Sequence, residues 1–124
     1  VARFIDELKR THRCGDLRAA DEGKEVVLFG WAASYRDHGG CVFIDLRDRE
    51  GIAQLVFDPD FQGHGASPRE AYALAQHVRS EWVIGVRGVV VGRGENKNPK
   101  LPTGDVEVRV VELSVFNKAD TTPF

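Results

Sequence analysis

The chain has 124 residues, 42% of them hydrophobic and 29% charged. That balance excludes a wholly disordered polypeptide and suits one domain burying roughly two thirds of the surface its unfolded chain would expose. With 17 Lys and Arg against 19 Asp and Glu the formal charge is −2, which excludes nucleic-acid binding driven by net charge and leaves only a local, shaped patch.

No apolar run approaches a membrane span, and no signal-peptide pattern opens the chain. Cys14 and Cys41 lack metal-ligand spacing and are expected to be two reduced structural thiols. A chain that starts at Val1 and contains no methionine is expected to be a processed or excised piece.

Phe4, Ile5 and Leu8 have helical spacing over barely two turns, so 1–10 reads as a short helix or a tail. Loop and turn residues follow to Lys24. Val-rich and aromatic, 25–35 is the first strand, and Gly30 inside it suggests the bulge that lets a small barrel curl. A loop holding Arg36 and His38 ends at Gly39-Gly40, and 41–47 is the second strand. Asp48-Arg49-Glu50-Gly51 turns tightly into the third, 52–57, which Asp58-Pro59 ends.

Ser67-Pro68-Arg69-Glu70 reads as an N-cap, first-turn proline and capping box. Ala71, Leu74, Ala75 and Val78 then form a buried helical stripe. The fourth and fifth strands are 82–92 and 105–116, joined by a polar loop that includes Arg93, Glu95 and Asn96. Three strands, a helix and two strands is the order of the all-β, five-stranded Greek-key barrel called the OB-fold. An open α+β sheet covered by one helix is the competing arrangement.

Alternation in the second strand puts Val42, Ile44 and Leu46 on one face and Phe43, Asp45 and Arg47 on the other. In the third strand Ala53, Leu55 and Phe57 share a face, and Gln54 lies between Ile52 and Val56 on the opposite one. OB-folds bind ligands across strands two and three, flanked by loops one-two and four-five. Phe43, Gln54, Arg36, His38 and Arg93 therefore converge. An aromatic ring beside an amide and arginines suits stacking on an unpaired base and reading its edge. The alternative is a Phe43 packed beneath a loop or against a second layer.

Arg13-Cys14-Gly15-Asp16-Leu17-Arg18, Gly30-Trp31, Arg36-Asp37, the run from Phe43 to Gly51, Gln54, and Thr103-Gly104-Asp105-Val106-Glu107-Val108 carry a resemblance. From Thr11 to Phe124 the chain resembles the N-terminal anticodon-binding domain of bacterial-type aspartyl-tRNA synthetase. The combination is more specific than the Phe43–Asp48 run alone, which also fits asparaginyl and lysyl enzymes.

The resemblance implies an extension at 1–12, a domain at 13–118 and the start of a linker at 119–124. It implies tRNA(Asp) as partner, with Phe43 stacking on the middle uridine of the anticodon and Gln54 bonding its Watson–Crick edge. Arg36 would take the first anticodon base or a nearby phosphate. Glu107 would order the loop, unless it is merely an exposed strand glutamate. Arg93 and Arg47 are weaker candidates for backbone contacts. His38 resembles the subgroup that also charges tRNA(Asn); the alternative is a solvated loop histidine.

The resemblance also implies a cytoplasmic, homodimeric parent enzyme using ATP and Mg, whereas this piece would be a monomer with no cofactor and no catalysis. Two other classes remain open at this stage. A free-standing OB module binding single strands without sequence preference would carry several groove aromatics. A protein-interaction domain would carry an apolar surface patch.

Overall fold

Where a β-branched or aromatic residue recurs at every second position, the chain forms a strand with one apolar face. A computed structural model describes residues 11–61, 68–94, 97–101 and 103–116. The helix or tail expected at 1–10, the Ser67 cap, Glu95, Asn96 and the linker at 119–124 lie outside the described residues. Two 3-10 turns, Cys14–Asp16 and Ala19–Asp21, precede β1 (Glu25–His38), β2 (Cys41–Asp48) and β3 (Gly51–Phe57). Then come α1 (Pro68–Ala75), β4 (Val83–Gly92) and β5 (Val106–Val115).

The strands hydrogen-bond in the closed order β1-β2-β3-β5-β4. The barrel expected from the sequence is what forms, and the open sheet is excluded. Closure comes from a short parallel junction, Leu55 opposite Val108 and Val56 opposite Arg109; the other pairings are antiparallel.

β1 serves two neighbours. Its first half pairs with β4 and its second with β2, and Trp31 stands opposite both Val83 and Arg47. The change of partner is accompanied by a bulge between Ala32 and Ser34. The bulge expected at Gly30 is therefore displaced along the strand. Gly30 pairs regularly with Ile84, and its missing side chain answers a different need: a Cβ there would stand 2.3 Å from the Arg47 carbonyl oxygen.

Arg36 and His38 also differ from expectation, because they belong to β1 and not to a loop. They stand opposite Phe43 and Cys41. The connection to β2 is only Gly39-Gly40, with φ of 63° and 83°. Two successive left-handed residues make the tight turn whose twist matches the strands it joins. The polar run resembles a loop because the β1 residues 34–38 are exposed on both faces, although the β2 residues opposite them include the buried Val42 and Ile44.

The inward residues are those the alternation indicates. Val42, Ile44 and Leu46 of β2 and Ala53, Leu55 and Phe57 of β3 are at most 2% exposed. Val26, Leu28, Ile84, Val86, Val90 and Val108 are among the other residues of the interior. Val56, on the outer wall with Gln54, is buried too. α1 lies against β5, β3 and β2 and buries Ala71 and Ala75, with Val78 just beyond its end. Leu74, expected in that stripe, is 38% exposed. At about 100° per residue, Leu74 falls on the opposite side of the Ala71–Ala75 line from Tyr72, and it is Tyr72 that packs against the core.

Asp48 ties the N-terminal segment to the barrel. Its Oδ2 accepts from the Cys14 N–H at 2.8 Å, and its Oδ1 accepts from the Glu50 and Gly51 N–H groups at 2.8 and 3.1 Å. A carboxylate accepting three backbone donors is stabilising because each donor loses its partner when the group is removed. Asp48→Ala should lower unfolding free energy by about 1–3 kcal/mol in urea titration. Asp48→Asn, which keeps one acceptor oxygen, should lose less. Wild-type stability in the alanine variant would contradict this role.

Candidate nucleic-acid interface

Side chains of β2, β3 and β5 that point away from the core share one outer wall. Asp45 stands opposite Gln54 in the β2–β3 ladder, Phe43 lies two residues along on the same face, and Glu107 comes from adjacent β5. With the end of β1 and the β4–β5 connection they bound an open groove of about 620 Å³. It is lined by Ser34, Arg36, His38, Phe43, Asp45, Gln54, Arg93, Asn98, Leu101 and Glu107.

Six of these residues were singled out from the sequence as candidates: Arg36, His38, Phe43, Gln54, Arg93 and Glu107. Arg47 is not among the lining residues. It is exposed on the same face of β2, but it stands opposite Trp31 and Ile52, farther along the barrel.

Phe43 is half-buried and lies outside the core cluster. Its ring carries the Arg36 guanidinium, 5.1 Å from the ring centroid, a cation–π contact between cross-strand neighbours. An incoming base would compete with that cation for the ring.

The amide and the glutamate are joined. Gln54 Nε2 donates to Glu107 Oε1 at 3.0 Å. Glu107 is only 8% exposed, so it is not an exposed strand glutamate. Its second oxygen, Oε2, accepts from Arg109 Nε at 3.0 Å, and the Arg109 guanidinium also donates to Asp58 Oδ2 at 3.1 Å. Arg109 escaped the sequence reading, although its position two residues beyond Glu107 places both on one face.

Ser34 and Asp45 were not singled out as lining residues either. The Ser34 hydroxyl donates to Asp45 Oδ2 at 2.8 Å. For Asp45 the signal was its alternation with Phe43. Leu101 had no signal, since it comes from a connection without a repeating pattern.

The β4–β5 connection is anchored from both sides. The buried Thr103 hydroxyl donates to the Ile52 carbonyl at 2.6 Å, fastening the connection to β3. Arg93 donates from Nε to the Val106 carbonyl at 3.0 Å, which fixes its stem beside the groove. At the other end Cys41, opposite His38, is half-buried; burial pushes its thiol pKa up, with Asp58 adding to the effect. A raised pKa leaves less of the thiol as nucleophilic thiolate at neutral pH. Among the described residues no group of His, Cys, Asp and Glu is placed to hold a metal ion.

Comparison with known proteins bears on this geometry. The profile of the OB-fold nucleic acid binding domain, the tRNA anticodon type, matches residues 26–116. The chain belongs to that family.

As an anticodon-type OB domain, it is 56% identical over all 124 residues to "Aspartate--tRNA(Asp/Asn) ligase" of Anaeromyxobacter dehalogenans. That match takes in residues 1–12, expected from the resemblance to be an extension. The OB domain spans about 20% of that relative's length. Among solved structures, asparaginyl-tRNA synthetase of Pyrococcus horikoshii complexed with asparaginyl-adenylate is 26% identical with a TM-score of 0.70, covering 94% of this chain and 24% of that one. Aspartyl-tRNA synthetase of Entamoeba histolytica has a TM-score of 0.74 at 23% identity, covering 98% and 24%, a likeness of fold alone. No helix among the described residues is long and apolar enough to cross a membrane.

Proposed function

We propose that this domain reads the anticodon for an aspartate–tRNA ligase that accepts both tRNA(Asp) and tRNA(Asn). One observation carries the reading. A half-buried ring on the outer wall, Phe43, lies within one groove with a primary amide, Gln54, whose orientation is held by Glu107.

In this reading the middle uridine leaves the anticodon stack and lies on the Phe43 ring. The displaced Arg36 takes the first anticodon base or its phosphate. Gln54 accepts from the uracil N3–H and donates to a uracil carbonyl, using both halves of its amide. Arg93, held by its backbone contact, faces the RNA backbone. The module extends over 13–118, and 119–124 leads toward the remainder of the enzyme. That remainder, a homodimer using ATP and Mg, would perform the aminoacylation; the present chain binds.

The acceptance of two tRNAs rests on His38. The two anticodons differ in their third base, C in one and U in the other. The exposed His38 at the groove's end supplies an adaptable polar contact there, where a larger apolar side chain would discriminate.

Titration of this chain with anticodon stem-loops in moderate salt should show preference for a U-centred loop. Phe43→Ala should weaken that binding by about 1–3 kcal/mol, the scale of one base–aromatic stack, and leave thermal stability nearly unchanged. Equal affinity for every loop would instead indicate a generic single-strand binder, and no affinity an interaction module. His38→Leu should increase the preference for C-ending over U-ending anticodons. An unchanged ratio would remove the proposal of dual acceptance through this residue.

A further inference from the structure

A glutamine amide by itself cannot tell uracil from cytosine. Its oxygen and nitrogen are alike in size, and its terminal torsion is broad and roughly two-fold, so either edge is within reach. Uracil presents a donor at N3 flanked by carbonyl acceptors. Cytosine presents an acceptor at N3 and a donor at its exocyclic amine. With the base held in one position on the Phe43 ring, one amide orientation complements uracil through N3–H and O4, and the flipped orientation complements cytosine through N3 and the exocyclic amine. Selectivity at this position therefore requires something that forbids the flip.

We infer that Glu107 and Arg109 are that lock: positioning residues that hold the Gln54 amide in the orientation complementary to uracil and so set uracil-over-cytosine selectivity without touching the base. The inference rests on the anticodon reading proposed above. An ionised carboxylate only accepts hydrogen bonds, so the edge of Gln54 that faces Glu107 Oε1 at 3.0 Å must be the NH₂ group. Flipping the amide would set two oxygens against each other at hydrogen-bond distance. Because Glu107 is 8% exposed, little water is available to relieve that contact, and an unsatisfied buried acceptor is costly.

Arg109 makes the lock rigid. Its Nε takes the other glutamate oxygen at 3.0 Å, which fixes the plane of the carboxylate, and its terminal nitrogen is itself held by Asp58 at 3.1 Å. Asp58, Arg109, Glu107 and Gln54 thus form one directional chain from the end of β3 to the reading position. All the polarity it imparts to the amide leaves the carbonyl oxygen of Gln54 for the ligand.

The test is a double-mutant cycle read as the ratio of affinities for stem-loops with U or C at the middle position. Wild type should favour U. Glu107→Gln can accept or donate, so it should permit either amide orientation and lower the ratio about tenfold. The C-centred loop should bind at least as well as before. In a Gln54→Ala background the same Glu107→Gln change should move the ratio by less than about twofold. Arg109→Lys, which keeps the charge but loses the fork, should give a smaller loss in the same direction. The side-chain amide resonances of Gln54 give an RNA-independent readout: one strongly shifted and exchange-protected proton in wild type, and neither property in Glu107→Gln.

A wild-type preference that survives Glu107→Gln removes the lock alone, as does an equal loss in the Gln54→Ala background, which would mean Glu107 meets the base directly. A wild type that binds both loops equally removes the anticodon reading and the lock with it.

Discussion

Asp45 stands opposite Gln54 between β2 and β3, and Val56 stands opposite Arg109 across the parallel junction of β3 and β5. This register decides which side chains share the outer wall. Strand side chains alternate with period two, so a slip of one residue would turn Phe43 and Gln54 inward and bring Val42 and Leu55 out. Such a slip is opposed by the whole interior, since each inward residue of β2 and β3 is at most 2% exposed. The groove is thus specified by the core behind it, and its own residues are free to be polar.

In the proposed reading the groove works by direction more than by field. The chain's formal charge is −2, and the groove itself mixes Arg36 and Arg93 with Asp45 and Glu107. Arg109 is engaged by two carboxylates and adds little attraction for phosphate. Affinity drawn from a stacking ring and oriented polar groups depends less on salt than affinity drawn from many phosphate contacts. Rigidity suits that design: hydrogen bonds fasten Thr103 to β3, Arg93 to β5 and Ser34 to Asp45. Little of the wall has to be ordered when a ligand arrives.

Barrel architecture was legible because alternation in 41–47 and 52–57 is unbroken and the helix falls between the third and fourth strands. Five residues of the groove, Phe43, Gln54, Arg36, His38 and Arg93, were legible from strand parity and the two flanking connections, and Glu107 only through the family resemblance. Three features were not. Arg36 and His38 read as loop because β1 continues where neither face is covered, so polarity carried no information about backbone pairing. Leu74 read as core because a helix of eight residues leaves the centre of its buried stripe ill-defined, and Tyr72 shifts it. Arg109 went unnoticed because its role depends on a partner, Asp58, 51 residues away in sequence; no local pattern encodes that pairing.

The most direct measurement is amide and side-chain chemical-shift mapping of this chain on addition of a stem-loop carrying the GUC anticodon. If the outer wall reads the anticodon, the largest changes fall on the Phe43 ring, the Gln54 side-chain amide and His38, while Tyr72 and Leu74 at α1 stay still. Changes concentrated on α1, or spread evenly over exposed lysines and arginines with the Phe43 ring unmoved, would contradict it.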